Sequence, residues 1–138
     1  MSLTKKSIDT ETAERAIAAA SEKGREIGVG ITVAIVDESG GLKMLRRNDG
    51  AMPISVEIAT NKAYTAAVMG LPTHVLHDVI KGDLPLLHGF VHTARIVVFG
   101  GGIPILEGDQ IIGAIGVSGG HYSQDLECAS AALAALAV

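Results

Sequence analysis

The stretch Phe99-Gly-Gly-Gly-Ile-Pro-Ile-Leu-Glu-Gly-Asp-Gln-Ile-Ile-Gly-Ala-Ile-Gly-Val-Ser-Gly-Gly120 constrains this chain more than any other. Two apolar runs flank Glu107-Gly108-Asp109-Gln110, a pattern that reads as a β-hairpin. Glycines crowd both ends, where the backbone must turn tightly or accept a close neighbour. With Val97, Val98, Ile103, Ile105, Ile111, Ile112, Ile115 and Val117, the region is too apolar to lie open to water. It is expected at the centre of a covered sheet.

Further strands are expected around that hairpin. Ile31–Asp37 and Leu42–Arg47 read as an antiparallel pair joined at Glu38-Ser-Gly-Gly41, and Asn48-Asp49-Gly50 is a turn signal. Arg95–Phe99 reads as a strand leading into the hairpin. Helices are expected over 10–27, capped by Asp9 or Thr10, over 53–69, and over a short span from Thr73 to Ile80. Leu86–Thr93 has no clear period and reads as a loop. The last helix follows Ser123. Antiparallel hairpins with helices gathered around them make an α+β layer fold. No βαβ unit carries a G-x-G-x-x-G turn, which removes a dinucleotide-binding reading.

At 138 residues the chain is expected to form one domain. Aromatics are only 3% of it, so the core must be a close packing of Ala, Val, Ile and Leu. Part of so much apolar surface is expected between subunits, which points to a homo-oligomer. The formal charge of −4, with only Lys81 and Arg95 as bases after Lys62, excludes a nucleic-acid stripe. No run reaches the roughly 20 apolar residues of a membrane span. One cysteine, Cys128, cannot form an internal disulfide and fits a reducing cytosol, so the expected location is cytoplasmic.

Lys62 breaks the apolar side of the second helix, formed by Ile54, Ile58, Ala59, Ala63, Ala66 and Met69. Two readings stand: a snorkelling stem whose ammonium meets a carboxylate or helix-end carbonyls, or a cation aimed into a pocket. Asp125, in the first turn of the last helix, reads as structural, accepting N–H groups of the preceding glycine loop. Ser118–Ser123 could cradle an anion or simply turn the chain. Gly116-Val-Ser118-Gly-Gly120 spells a nucleophile elbow without assignable partners, and Cys128 reads as packing.

All five histidines lie after residue 73. His74 and His77 are three apart on a short helix with Asp78 beside them, but a third protein ligand is lacking, so no metal site is assigned. Haem needs only one axial histidine, which keeps His88, His92 and His121 as candidates.

The motifs Val36-Asp-Glu-Ser-Gly40, Arg47-Asn-Asp-Gly-Ala51, Lys62-Ala-Tyr-Thr-Ala66, Gly101-Gly-Ile-Pro104, Gly108–Gly119 and Gln124-Asp125 occur in one order along the chain. Together they resemble the GlcG/HbpS-like family, also found as the C-terminal domain of PduO-type corrinoid adenosyltransferases. Gly89-Phe-Val-His92 and Arg95–Gly102 look most similar to the PduO branch. The resemblance covers Ser7 to Leu136. It implies a profilin-like α+β sandwich, with an antiparallel five-stranded sheet flanked by helices, and assembly into homo-oligomers. It implies binding of haem first and cobalamin second. Lys62, Arg47, Asp49, Gly101 and Gly102 gain weight as site residues, though Lys62, Arg47 and Asp49 can equally hold a subunit interface. Ser39-Gly40-Gly41 replaces the Gly-Gly-His common in relatives, and the first helix has no histidine, so an axial ligand supplied there in a relative does not carry over. Three functions follow from this: a tetrapyrrole-binding protein, a haem-degrading or corrinoid-processing enzyme in the same pocket, or an assembly module independent of ligand.

Overall fold

A computed structural model describes residues 1–137. The elements run α1 (Thr10–Glu26), β1 (Thr32–Asp37), β2 (Leu42–Arg47), α2 (Ser55–Met69), α3 (Thr73–Ile80), α4 (Leu84–Gly89), a single tight helical turn at Phe90–His92, β3 (Gly102–Glu107), β4 (Gln110–Ser118) and α5 (Tyr122–Leu136). The strands form one antiparallel sheet in the order β2-β1-β4-β3.

Alternation along β1 and β4 sorts the two faces of the sheet. Val33, Ile35, Ile115 and Val117 meet α1 and α5 in one core that also buries Ile8, Ile17, Ile105 and Cys128. Ala34, Val36 and Ala114 meet Ala59, Ala63, Ala66 and Ala67 of α2 in the other. The second interface is built from small side chains, so α2 lies close to the sheet. A Cβ on Gly116 would run into the Ala59 carbonyl and stand 2.5 Å from the Ala63 nitrogen.

The hairpin forms where the two apolar runs flank the polar turn. Glu107 pairs with Gln110 across a two-residue turn whose Gly108 sits at φ +63°, where glycine carries no steric cost. Its β4 arm is interior, between β1 and β3, while β3 is an edge.

The expected five-stranded sheet is corrected to four strands. Arg95–Phe99 does not join it, because its backbone polar groups are satisfied elsewhere. Thr65 of α2 donates its hydroxyl to the Arg95 carbonyl at 2.9 Å and accepts the Val97 N–H at 3.0 Å. Arg95 itself lies at φ +69°, outside any strand conformation, with its guanidinium stacked 3.9 Å from the Tyr64 ring centroid.

Two other expectations shift. Helix α2 buries Ser55, Ala59, Lys62, Ala63, Thr65 and Ala66, whereas Ile54 and Met69, expected on its apolar side, are exposed. The expected loop after Leu86 is helical: the Asp83 carboxylate caps α4 and Pro85 occupies its first turn. None of the residues of α4 or of the turn after it is buried. At the other end of the chain, Asp9 caps α1 by accepting the Thr12 N–H at 2.7 Å. Among the described residues, no helix is long and apolar enough to cross a membrane.

The close approach of α2 to β4 yields a direct test. Gly116→Ala should lower unfolding free energy by about 2 kcal/mol or more, because neither backbone partner can yield without moving α2. Urea denaturation measures it; an unchanged midpoint would mean that α2 has room to shift.

Candidate functional site

Lys62 is fully buried, and its Nζ donates to the Val117 carbonyl at 2.9 Å and to Asp125 Oδ2 at 2.9 Å. The Phe99 ring centroid lies 5.0 Å from the same nitrogen. Asp125 Oδ1 accepts the Gly120 N–H at 2.9 Å. One ion pair therefore joins the middle of α2, the end of β4 and the first turn of α5. Both readings of Lys62 meet here, since its ammonium rests on a carboxylate and also lines a cavity.

The glycines before β3 make room for the pair. A Cβ on Gly101, at φ +124°, would stand 2.8 Å from Lys62 Nζ and 2.6 Å from the Val117 oxygen. A Cβ on Gly102 would strike the Lys62 carbonyl, and its N–H donates to Thr73 Oγ1 at 3.0 Å. A side chain at 101 would press on the ion pair itself, and one at 102 on the α2 backbone and Thr73.

Two concavities flank this centre. One, about 280 Å³, is lined by Met52, Ile54, Lys62, Ser118, His121 and Asp125 among others. The other, about 300 Å³, is lined by His74, His77, Asp78, Val98 and Gly100. Phe99 and Tyr122 line both, so the two form one groove divided by a pair of aromatic side chains. These residues are 43% and 52% exposed in a chain with only two Phe and two Tyr, which sets them apart from core packing. In the groove wall, His74 Nδ1 is buried with no hydrogen-bond partner.

The structure thus brings Lys62, Gly101, Gly102 and His121 together. His121 is also the N-cap of α5, where its Nδ1 accepts the Ser123 N–H at 3.2 Å and its own N–H donates to Gln124 Oε1 at 3.0 Å. The N–H groups of Gly120, His121 and Ser123 are all held by side chains of their own helix turn, so the turn reading of Ser118–Ser123 fits better than an anion cradle. Ser118 is paired with Thr32 inside the sheet rather than raised on an elbow.

Arg47 and Asp49 lie elsewhere, around a separate hollow at the Asn48-Asp-Gly50 turn, with Arg47 Nε donating to the Ala51 carbonyl at 3.0 Å. His88 and His92 are exposed on α4 and the following turn and line neither lobe of the groove. Sequence reasoning passed over Phe99 and Tyr122, and it weighed His74 and His77 only as a metal pair. The available signal was two scarce aromatics set beside glycine clusters. Among the described residues, no group of three or more His, Cys, Asp or Glu side chains is placed to hold a metal ion. Burial pushes the Cys128 thiol up to about 11, which leaves it protonated and fits a packing role.

Burial also pushes Lys62 below the ordinary lysine value of 10.5 and Asp125 above the ordinary aspartate value of 3.8, in each case against the attraction of its partner. A carboxyl that keeps its proton longer in the folded chain loses stability as pH rises just above 3.8. A lysine that loses its proton earlier in the folded chain regains stability as pH approaches 10.5. The pair should therefore cost stability between those limits, relative to apolar replacements. Lys62→Met alone should destabilise by about 3–5 kcal/mol, because it strands a buried carboxylate. Lys62→Met with Asp125→Leu should recover most of that loss and flatten the pH profile of denaturant midpoints. A single variant as stable as the parent would contradict this account.

Comparison with known proteins agrees with the fold. The family model described as haem degrading protein HbpS-like matches residues 8–134. A 15.0 kDa protein from the dhaT–dhaS intergenic region of Citrobacter freundii is 38% identical over 128 residues, covering 91% of this chain and 89% of that protein. The corrinoid adenosyltransferase PduO of Salmonella typhimurium is 36% identical over 121 residues, 87% of this chain, but the match spans only 36% of PduO. The crystal structure of a PduOC–haem complex superposes with a TM-score of 0.86 at 33% identity, covering 94% of each chain. The match extends over the sheet, the helices on both its faces and the residues that build the groove: the chain belongs to the HbpS-like family.

Proposed function

We propose that this protein is a small oligomeric binding protein whose groove takes haem or a related tetrapyrrole. The observation that carries the reading is the groove itself, in which two exposed aromatic rings divide apolar walls that also present imidazoles. A flat macrocycle asks for such surfaces, and cofactor sites are typically concave and apolar with a few polar groups. The donor set fits the group: ring nitrogens suit iron, and the buried Nδ1 of His74 is a polar atom whose needs the protein alone does not meet. Phe99, Tyr122 and the α3 histidines would hold the group, with the Lys62–Asp125 pair as the fixed back wall. When bound, haem would supply redox-active iron chemistry to the groove. The relative crystallised with haem supports the same reading.

The unburied apolar face of α4, with Leu84 and Leu86 beside Val91 of the next turn, supports association between copies of the chain. The lone buried cysteine suits a reducing cytoplasm. The family's description as haem degrading favours a second reading, in which the macrocycle held in the groove is opened oxidatively by dioxygen, with an external reductant supplying the electrons. Intact haem after prolonged incubation with reductant in air-saturated buffer would remove that second reading.

The primary reading is tested by parallel absorbance titrations with haemin and with cobalamin, at a mass fixed by sedimentation. The expected result is a saturable, stoichiometric Soret shift with haemin, weakened by Phe99→Ala or Tyr122→Ala, and assemblies heavier than the 14.2 kDa chain. Saturation with cobalamin alone would assign a corrinoid. No shift with either would leave an assembly role, and the tetrapyrrole reading would fall.

A further inference from the structure

Resting on the tetrapyrrole reading, we infer that Lys62 and the Ser118 hydroxyl together hold a carboxylate side group of the macrocycle and so set the orientation of the ring in the groove. The polar groups of the lobe of about 280 Å³ differ in how fully the protein already occupies them. The Ser55 hydroxyl is taken, since it meets Thr32 Oγ1 at 2.7 Å and donates to the Met52 carbonyl. Asp125 is taken as well, with Oδ1 accepting from Gly120 and Oδ2 from Lys62.

Lys62 is not. A lysine ammonium carries three donors. The Val117 carbonyl and Asp125 Oδ2 accept two of them, each at 2.9 Å, and among the described residues no oxygen or nitrogen accepts the third. The Phe99 ring centroid, 5.0 Å from Nζ, attracts the charge without replacing a hydrogen bond. An unused donor on a side chain only 1% exposed is an unfavourable state that a ligand oxygen relieves. Phe99 lies outside the helices and strands and is partly exposed, so its ring can turn aside and open Nζ to the lobe without disturbing the sheet.

Ser118 supplies the second donor. It ends β4, on the same face as Ala114, which packs on α2. The residue is buried, yet its hydroxyl has no hydrogen-bond partner among the described residues, and it lines the lobe. Its neighbour in the chain is Val117, whose carbonyl holds Lys62, so both unused donors belong to one corner of the lobe. That corner faces the start of α5, a 15-residue helix whose dipole favours negative charge at this end. A carboxylate offers an oxygen to each donor. The Lys62–Asp125 bond stays intact, because the carboxylate uses only the donor left over. The other lobe, beside Val98 and α3, is left for the ring and its iron.

Haemin and its dimethyl ester share ring and iron and differ only in the carboxylates. Both are titrated into the full chain in the same detergent and followed by absorbance. Expected is binding of haemin about 10–100-fold tighter than binding of the ester. Lys62→Met with Asp125→Leu, which removes the two charges as a pair, should bring the two affinities together. Ser118→Ala should narrow the gap by about 3–10-fold, and circular dichroism checks the fold of each variant. A parent that binds the ester as tightly as haemin, or a gap unchanged in either folded variant, overturns the carboxylate site while the tetrapyrrole reading stands. If the double variant fails to fold, Ser118→Ala alone decides. If the parent saturates with neither compound, both fall.

Discussion

The buried pair between Lys62 and Asp125 is the interaction on which the rest of this structure turns. It fixes three elements that the sheet alone would leave adjustable: the register of α2 over β4, the end of β4 through the Val117 carbonyl, and the entry of α5 through Gly120. Two buried charges cost desolvation free energy that their attraction does not fully offset, so stability alone is a poor reason to keep them. Their geometric effect is the better one. With the pair in place, a charged and immobile wall stands behind Phe99, and only glycine fits at 101 and 102.

The groove is a consequence of that wall and of an unusual economy of large side chains. Alanines and glycines bring α2 down onto the sheet, so the interior does not need aromatic rings to fill it. Phe99 and Tyr122 are then free to stand at the surface, one on the irregular segment before β3 and one at the start of α5. The segment keeps its irregular path because Thr65 satisfies its backbone and Arg95 adopts a left-handed conformation. A fifth strand in its place would have drawn Val98 and Phe99 into a ladder and closed the groove.

Much of this was legible in the sequence. The β1–β2 and β3–β4 hairpins announce themselves by apolar runs flanking glycine-containing turns, which are local properties. The family resemblance, carried by ordered motifs, pointed to haem and to Lys62. Other features were illegible for physical reasons. Arg95–Phe99 has strand composition, and the residue that keeps it out of the sheet is thirty positions away in α2. The buried face of α2 is made of alanines, serine, threonine and a lysine, so a hydrophobic wheel rotates the helix toward Ile54 and Met69. Lys62 and Asp125 each stood out on their own helix, but nothing local pairs residues that are sixty-three apart. The histidines were visible, whereas which of them line the groove depends on how α3 and the start of α5 pack, which only the fold reveals.

The central claim is that one groove, backed by the Lys62–Asp125 pair and divided by Phe99 and Tyr122, is where a tetrapyrrole sits. The most direct measurement is anomalous scattering at the iron edge from crystals grown with haemin. The account predicts an iron peak between α3 and the start of α5, with the ion pair unbroken behind it. An iron peak at α4, or at the Asn48-Asp-Gly50 turn, or an ion pair opened to admit the ligand, would contradict it.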